Sequence, residues 1–190
     1  MNHADQMTTS NIIIFTGPVK SGKTTFLVNQ LKNRNDCGGF LTPDINGRRH
    51  FFRLDTKECL PFELEKPSDG KQIVEVGPYQ FDKNIFDLGN HLISNFYNNK
   101  HNFFVIDEVG KLELKGEGFD PVLMKIFPLT NQDQNITFIL VVRDYLVRDV
   151  IKRYKIQATI IEIEISEALA SRINLQGQGH TQTAAPDHNQ

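Results

Sequence analysis

The chain has 190 residues, a length that fits one domain of ordinary size with a real core. It is 39% hydrophobic and 23% charged, a globular balance. The net charge of −2 gives no electrostatic reason to expect nucleic acid or an anionic membrane as a standing partner.

Residues 1–10 are polar and unpatterned, so a disordered N-terminal tail is expected there. "NIIIFTG" (11–17) is a continuous β-branched apolar run that ends in Gly, and it reads as a fully buried strand. "KTTFLVNQLKNR" (23–34) follows as a helix, with Phe26, Leu27 and Leu31 spaced for one face. In "GGFLTPDINGRRHFFRLD" (38–55), Asn46-Gly47 sits between two runs and predicts a hairpin with a type I′ turn. "CLPFEL" (59–64) and "QIVEV" (72–76) read as further strands, joined by the turn-like "KPSDG". A helix is predicted over 82–97 with Asp82 as N-cap. "NFFVID" (102–107) is another buried strand, and "FDPVLMKIF" (119–127) a helix with Asp120 as N-cap and Pro121 at its first position. "ITFILVV" (136–142) is a third buried run and feeds a helix over 143–154. A strand over 158–166 and a short helix over 167–175 complete the domain. The residues after 175 read as a disordered C-terminal tail.

Buried strands alternating with helices predict an α/β fold, a mostly parallel sheet between helices in three layers, with an antiparallel hairpin added. The expected organisation is one domain over 11–175. Cys37 and Cys59 match no metal spacing and imply no disulfide framework. No run is long enough to cross a bilayer, and "MNHADQMTTSN" lacks the basic and apolar regions of a signal peptide. A soluble cytoplasmic protein is the expectation. Fourteen Phe and no Trp point to no function by themselves.

"GPVKSGKT" is Gly17-x4-Gly22-Lys23-Thr24, a full match to the phosphate-binding loop pattern, placed between a predicted strand and a predicted helix. Its Gly17, Pro18, Val19, Lys20, Ser21 and Gly22 would turn backbone N–H groups around phosphate oxygens, and the helix adds its positive N-terminus. Lys23 is long enough for the β and γ phosphates. The Thr24 hydroxyl suits Mg²⁺, and Thr25 follows on the helix as a weaker nucleotide-binding candidate.

Such a loop needs a carboxylate at the tip of a neighbouring strand. Asp107 is placed to serve the Mg²⁺ shell, and Glu108 beside it to handle water, which favours hydrolysis over nucleotide binding alone. In the loop that follows, Lys111 is open to three roles: touching phosphate, reaching Glu113, or solvation. Arg143 ends the third buried run. If that strand lies between those ending at Gly17 and Asp107, Arg143 is a γ-phosphate sensor or the partner of Asp144 or another acid. Arg48, Arg49 and Arg53 either solvate the hairpin or bind an anionic substrate or partner.

"GPVKSGKTT", "GGFLTPDINGRR" and "FFVIDEVGKLEL" in this order resemble the small P-loop nucleoside-triphosphatases known as the thermophile or cancer-related nucleoside-triphosphatase family. The resemblance spans roughly residues 11–170. It implies slow, weakly base-selective, Mg²⁺-dependent hydrolysis of ATP, GTP and other nucleoside triphosphates. It also implies that residues 107–114 line the nucleotide site, with Lys111 and Glu113 among the contacts. The chain departs from the family pattern at "RRHFFRLD" after the hairpin turn and at "SEALA" (166–170). Two other functions remain open on the residues alone: a small-molecule kinase, and a nucleotide-switched module that docks a protein partner. The preferred base, the oligomeric state and any arginine supplied by a second subunit are not encoded in these motifs.

Overall fold

The computed structural model describes residues 11–65, 72–98, 101–130 and 136–163. The expected tails, the turn at 66–70 and the helix at 167–175 lie outside these residues. Among the described residues the strands are β1 (Ile12–Thr16), β2 (Cys37–Leu41), β3 (Asp44–Ile45), β4 (Arg48–Arg53), β5 (Cys59–Pro61), β6 (Ile73–Val76), β7 (Tyr79–Asp82), β8 (Phe103–Asp107), β9 (Thr137–Val141) and β10 (Thr159–Glu162). The helices are α1 (Lys23–Leu31), α2 (Lys83–Ser94), α3 (Lys111–Leu114), α4 (Asp120–Thr130) and α5 (Val147–Tyr154).

The main sheet runs β10-β1-β9-β8-β2-β4-β3, with β5 on the other edge of β4. From β10 to β2 every pairing is parallel; β4 then runs antiparallel to β2 and to β3. The parallel strands read as unbroken apolar runs because both faces are covered. Ile12, Ile14, Phe104, Ile106, Phe138 and Leu140 face α2, α4 and α5. Phe15, Val105, Ile139 and Val141 face Leu27 and Leu31 of α1 on the other side. Burying one such side chain contributes roughly 1.5–3 kcal/mol relative to exposure, so the central strands carry much of the core.

The turn at Asn46-Gly47 forms as expected. Both residues have positive φ, 55° and 79°, as a type I′ turn demands. Gly47 N also donates to Asp44 Oδ1 at 2.7 Å. Gly39 is needed for the join between β2 and β8. Its φ is +85°, and a Cβ there would stand 2.0 Å from the Val105 carbonyl oxygen.

Three details differ from the sequence reading. The helix over 143–154 opens with a 3-10 turn (Asp144–Leu146) before α5. The strand at 72–76 pairs with an unforeseen partner, β7, across Gly77-Pro78 to make a second hairpin outside the main sheet. Asp82 does cap α2, accepting from Asn84 N at 3.0 Å. Asp120, by contrast, is the first residue of α4 rather than the cap before it. Its carboxylate is turned to α5, where it accepts from Arg153 Nη2 at 2.8 Å and Tyr154 Oη at 2.9 Å. A guanidinium and a phenol outcompete a local cap because they bring charge and satisfy a buried hydroxyl at once.

Six of the Phe side chains form one group. Phe40 stacks on Phe51 at 4.5 Å and tilts against Phe119 at 5.0 Å. Phe62 meets Phe81 at 4.7 Å and Phe86 at 5.0 Å. This group ties β4 and the β6–β7 hairpin to α2 and to the start of α4.

Candidate active site

Two chain segments meet at the C-terminal ends of β1 and β8. The loop 17–22 leaves β1 and enters α1 at Lys23, after Gly22 in the left-handed region. Pro18, Val19 and Lys20 are exposed at the rim of the loop. Lys23 is buried. Its ammonium donates to Gly17 O at 2.8 Å, Pro18 O at 2.7 Å and Ser21 Oγ at 3.3 Å. Burial lowers the Lys23 pKa, against the opposing pull of Glu108 and Asp107. Thr25, next to Thr24, is exposed on α1.

Asp107 ends β8 and is 1% exposed. Its Oδ2 accepts from Thr24 Oγ1 at 2.8 Å and from Thr42 N at 2.9 Å. Burial raises its pKa, opposed by those two hydrogen bonds. Neither hydrogen-bond donor carries charge, so a buried carboxylate is left with weak compensation. The Thr42 hydroxyl is itself buried without a hydrogen-bond partner among the described residues. A hydroxyl, a carboxylate and nothing softer is the donor set of a hard divalent cation. Among the described residues no group of three or more His, Cys, Asp or Glu is available to cage one. Mg²⁺ fits that pattern, since it is held by one or two protein oxygens with the rest from phosphates and water.

Glu108, one residue on, faces two arginines. Arg143 Nε donates to Oε1, Arg143 Nη2 donates to Oε2 at 3.3 Å, and Arg49 Nη1 donates to Oε2 at 3.5 Å. β9 does lie between β1 and β8, which is what brings Arg143 here. The acid that Arg143 pairs with is Glu108. Asp144 instead accepts from Tyr145 N at 2.8 Å. The three guanidinium and carboxylate side chains are part-exposed, 19% for Glu108, 30% for Arg143 and 37% for Arg49, so the ion pairs hold the groups in place more than they stabilise the fold.

Lys111 and Glu113 sit on α3 with opposite fates. Lys111 Nζ lies 5.7 Å from the centre of the Tyr145 ring, beside Arg143. Glu113 is 3% exposed and points inward. Its Oε2 accepts from Gly110 N at 2.8 Å and its Oε1 from Phe119 N at 3.2 Å, so its carboxylate closes the loop after β8 onto itself. Burial pushes the Glu113 carboxyl up to about 7. Gly118 makes room for it, since a Cβ there would stand 2.3 Å from Glu113 Oε1.

Two members of the site were not singled out by sequence reasoning. Thr42 lies within "GGFLTPDINGRR", where the residues alone mark no role for it. Arg49 was one of three hairpin arginines with two roles open. Alternation along β4 separates them: Arg48 pairs with the exposed Glu65 at 2.7 Å, while Arg49 reaches Glu108. Arg53 is held by Asp55 at 2.8 Å and Glu58 at 3.5 Å.

A family model described as NTPase matches residues 12–174. The chain belongs to this family of nucleoside-triphosphate hydrolases. A nucleoside-triphosphatase THEP1 of Thermotoga sp. (strain RQ2) is 31% identical over 121 residues, 60% of this chain and 67% of the relative. The corresponding proteins of Thermotoga petrophila and Thermotoga maritima are 31% and 29% identical, with 65% and 67% of their lengths covered. The match therefore spans about two thirds of these relatives. The fold is that of the crystal structure of THEP1 from the hyperthermophile Aquifex aeolicus, with a TM-score of 0.62 at 22% identity, covering 85% of this chain and 96% of that one. Among the described residues no helix is long and apolar enough to cross a membrane.

Proposed function

We propose that this NTPase cleaves the β–γ phosphoanhydride of nucleoside 5′-triphosphates, ATP and GTP among them, with water as acceptor, Mg²⁺ as cofactor and weak selection of the base, in the cytoplasm. The observation that carries the reading is the direct hydrogen bond from Thr24 Oγ1 to Asp107 Oδ2 at 2.8 Å, with Glu108 next in the chain. It joins the phosphate loop to the acids and brings the two halves of a hydrolytic site within one hydrogen bond.

Thr24 and Asp107 are the groups that would hold Mg²⁺, which when bound supplies charge neutralisation to the β and γ phosphates. In the resting state the Lys23 ammonium is satisfied by loop carbonyls. Phosphate oxygens are stronger acceptors, and the ammonium exchanges onto them. Arg143 and Arg49 are drawn from Glu108 towards the γ-phosphate by the same argument. Glu108, released from its counterions, accepts a proton from the attacking water. Slow turnover follows from the need to part these ion pairs before the base is free.

Phosphate release over the four common ribonucleoside triphosphates, with and without Mg²⁺, tests the reading. Release from several of them only with Mg²⁺ is expected. No release from any would overturn it.

A further inference from the structure

A cleft opens beside the two acids, and none of residues 17–24 borders it. Its walls are Phe62, Val76, Phe81, Phe86 and Phe119, contributed by the β6–β7 hairpin, α2 and the segments around them. Its mouth is polar: Thr42, Arg49, Glu108, Lys111 and Arg143. The space inside is about 150 Å³. That is the size at which an apolar protein cavity takes up benzene, roughly five times the ~30 Å³ share of one water in the liquid. A single six-membered ring fits, and anything larger extends out of the open side of the cleft.

Size and wall chemistry thus describe the buried part of an occupant, and the mouth describes its other end. Three cations and the unpartnered hydroxyl of Thr42, a residue 5% exposed, stand where a short polar arm would emerge. Glu108 is shared between this mouth and the acids of the phosphate site.

We propose that the cleft is an acceptor site for a small molecule with one apolar ring and a hydroxyl on a short arm, and that the enzyme transfers the γ-phosphoryl group to that hydroxyl. This rests on the nucleotide reading for its donor. The hydroxyl oxygen bonds to the γ-phosphorus, and the bond from that phosphorus to the β,γ-bridging oxygen breaks, its electron pair leaving with the diphosphate. The hydroxyl proton passes to Glu108 and then to solvent. The products are a nucleoside diphosphate and a phosphomonoester. Hydrolysis is the same step with water in the place of the alcohol.

The test uses the full chain and two readouts. Saturation-transfer NMR without nucleotide measures binding of toluene, benzyl alcohol and 2-phenylethanol. Thin-layer separation after incubation with Mg²⁺ and γ-labelled ATP measures label in phosphomonoester and in free phosphate. Binding of all three rings is expected, with label in monoester at least tenfold above a protein-free control for one of the alcohols and none for toluene. Val76→Trp, and the milder Val76→Phe, fill the cleft and should abolish both ring signals and monoester, with folding checked by circular dichroism. No ring binding to the wild type, or binding undiminished in folded filled variants, would overturn the site. Ring binding with free phosphate but no monoester would overturn the transfer and leave hydrolysis standing. Ring binding with no label released at all would overturn transfer and the hydrolysis reading together, and would leave the cleft as a ligand site.

Discussion

The phosphate loop and the Arg49–Glu108–Arg143 cluster lie on either side of Asp107, and they are built in opposite ways. The motif is eight consecutive residues, Gly17 to Thr24, that run from the end of one strand into the first turn of one helix. The cluster takes one residue from β4, one from the end of β8 and one from beyond β9. The first needs only local chain geometry, so it forms wherever a strand feeds a helix through this loop. The second exists only if the sheet order β9-β8-β2-β4 is correct. One region is written in the motif, the other in the topology.

Breaking each side separately should sharpen that contrast. The largest effect is expected from Glu108→Gln, which keeps the shape and removes the base. Its kcat should fall by about 10²–10⁴, the usual worth of a positioned general base, with nucleotide binding retained. Phosphate release and equilibrium nucleotide binding measured side by side decide this, and normal turnover would remove Glu108 from the role of base. Arg49→Ala should come next, lowering kcat by on the order of 10², as for loss of one charge-stabilising donor. Arg48→Ala, one residue away on the opposite face of β4, should change kcat by less than about twofold. Equal losses in the two variants would mean that the hairpin acts only as a general positive patch.

A smaller effect is expected on the support of the cluster. Glu113 accepts with both oxygens, so Glu113→Gln sets an amide N–H against one backbone N–H. Unfolding by urea should show a loss of about 1–3 kcal/mol, the cost of an unsatisfied buried donor. Its pH dependence has a definite sign. The carboxyl is pushed from an ordinary 4.5 to about 7 by burial, so the folded state holds its proton while the unfolded chain has lost it. Wild-type stability should therefore fall as pH rises from 4.5 through 7, and this slope should be absent in Glu113→Gln.

The smallest effect concerns Asp36, far from both regions in role. Its hydrogen bond from the Arg34 guanidinium lowers its pKa from 3.8 to about 2. The stabilisation it gives is complete above 3.8 and is lost as pH falls towards 2. Asp36→Asn should flatten that acid limb in a pH series of thermal melts, without altering kcat at neutral pH.

The same contrast explains what could be read in advance. The strand–loop–helix around Lys23 and the buried runs ending at Asp107 and at Val142 were legible, because contiguous apolar β-branched segments and a fixed glycine spacing leave few alternatives. No motif places β9 between β1 and β8, and the role of Arg143 depends on that placement. Arg49 was not separable from Arg48 without the register of β4. β7 was missed because Gly77-Pro78 ends one strand without marking the next as its partner. The misread cap at Asp120 had a similar origin: its partner, Arg153, is thirty-three residues away. The Phe content carries no meaning by itself, since composition says nothing of where each of fourteen rings packs. That four of them, Phe62, Phe81, Phe86 and Phe119, line a cleft beside Glu108 is a property of packing, to which no motif corresponds.

The turn at Asn46-Gly47 has a consequence of its own. It carries no chemistry itself, yet it sets the phase of β4. A one-residue slip of a strand moves every side chain to the opposite face. One residue inserted in this turn would bring Arg48 round to Glu108 and send Arg49 out to solvent, or leave β4 paired with a gap. The turn acts as a spacer whose length selects which of two adjacent guanidinium groups is paired with Glu108.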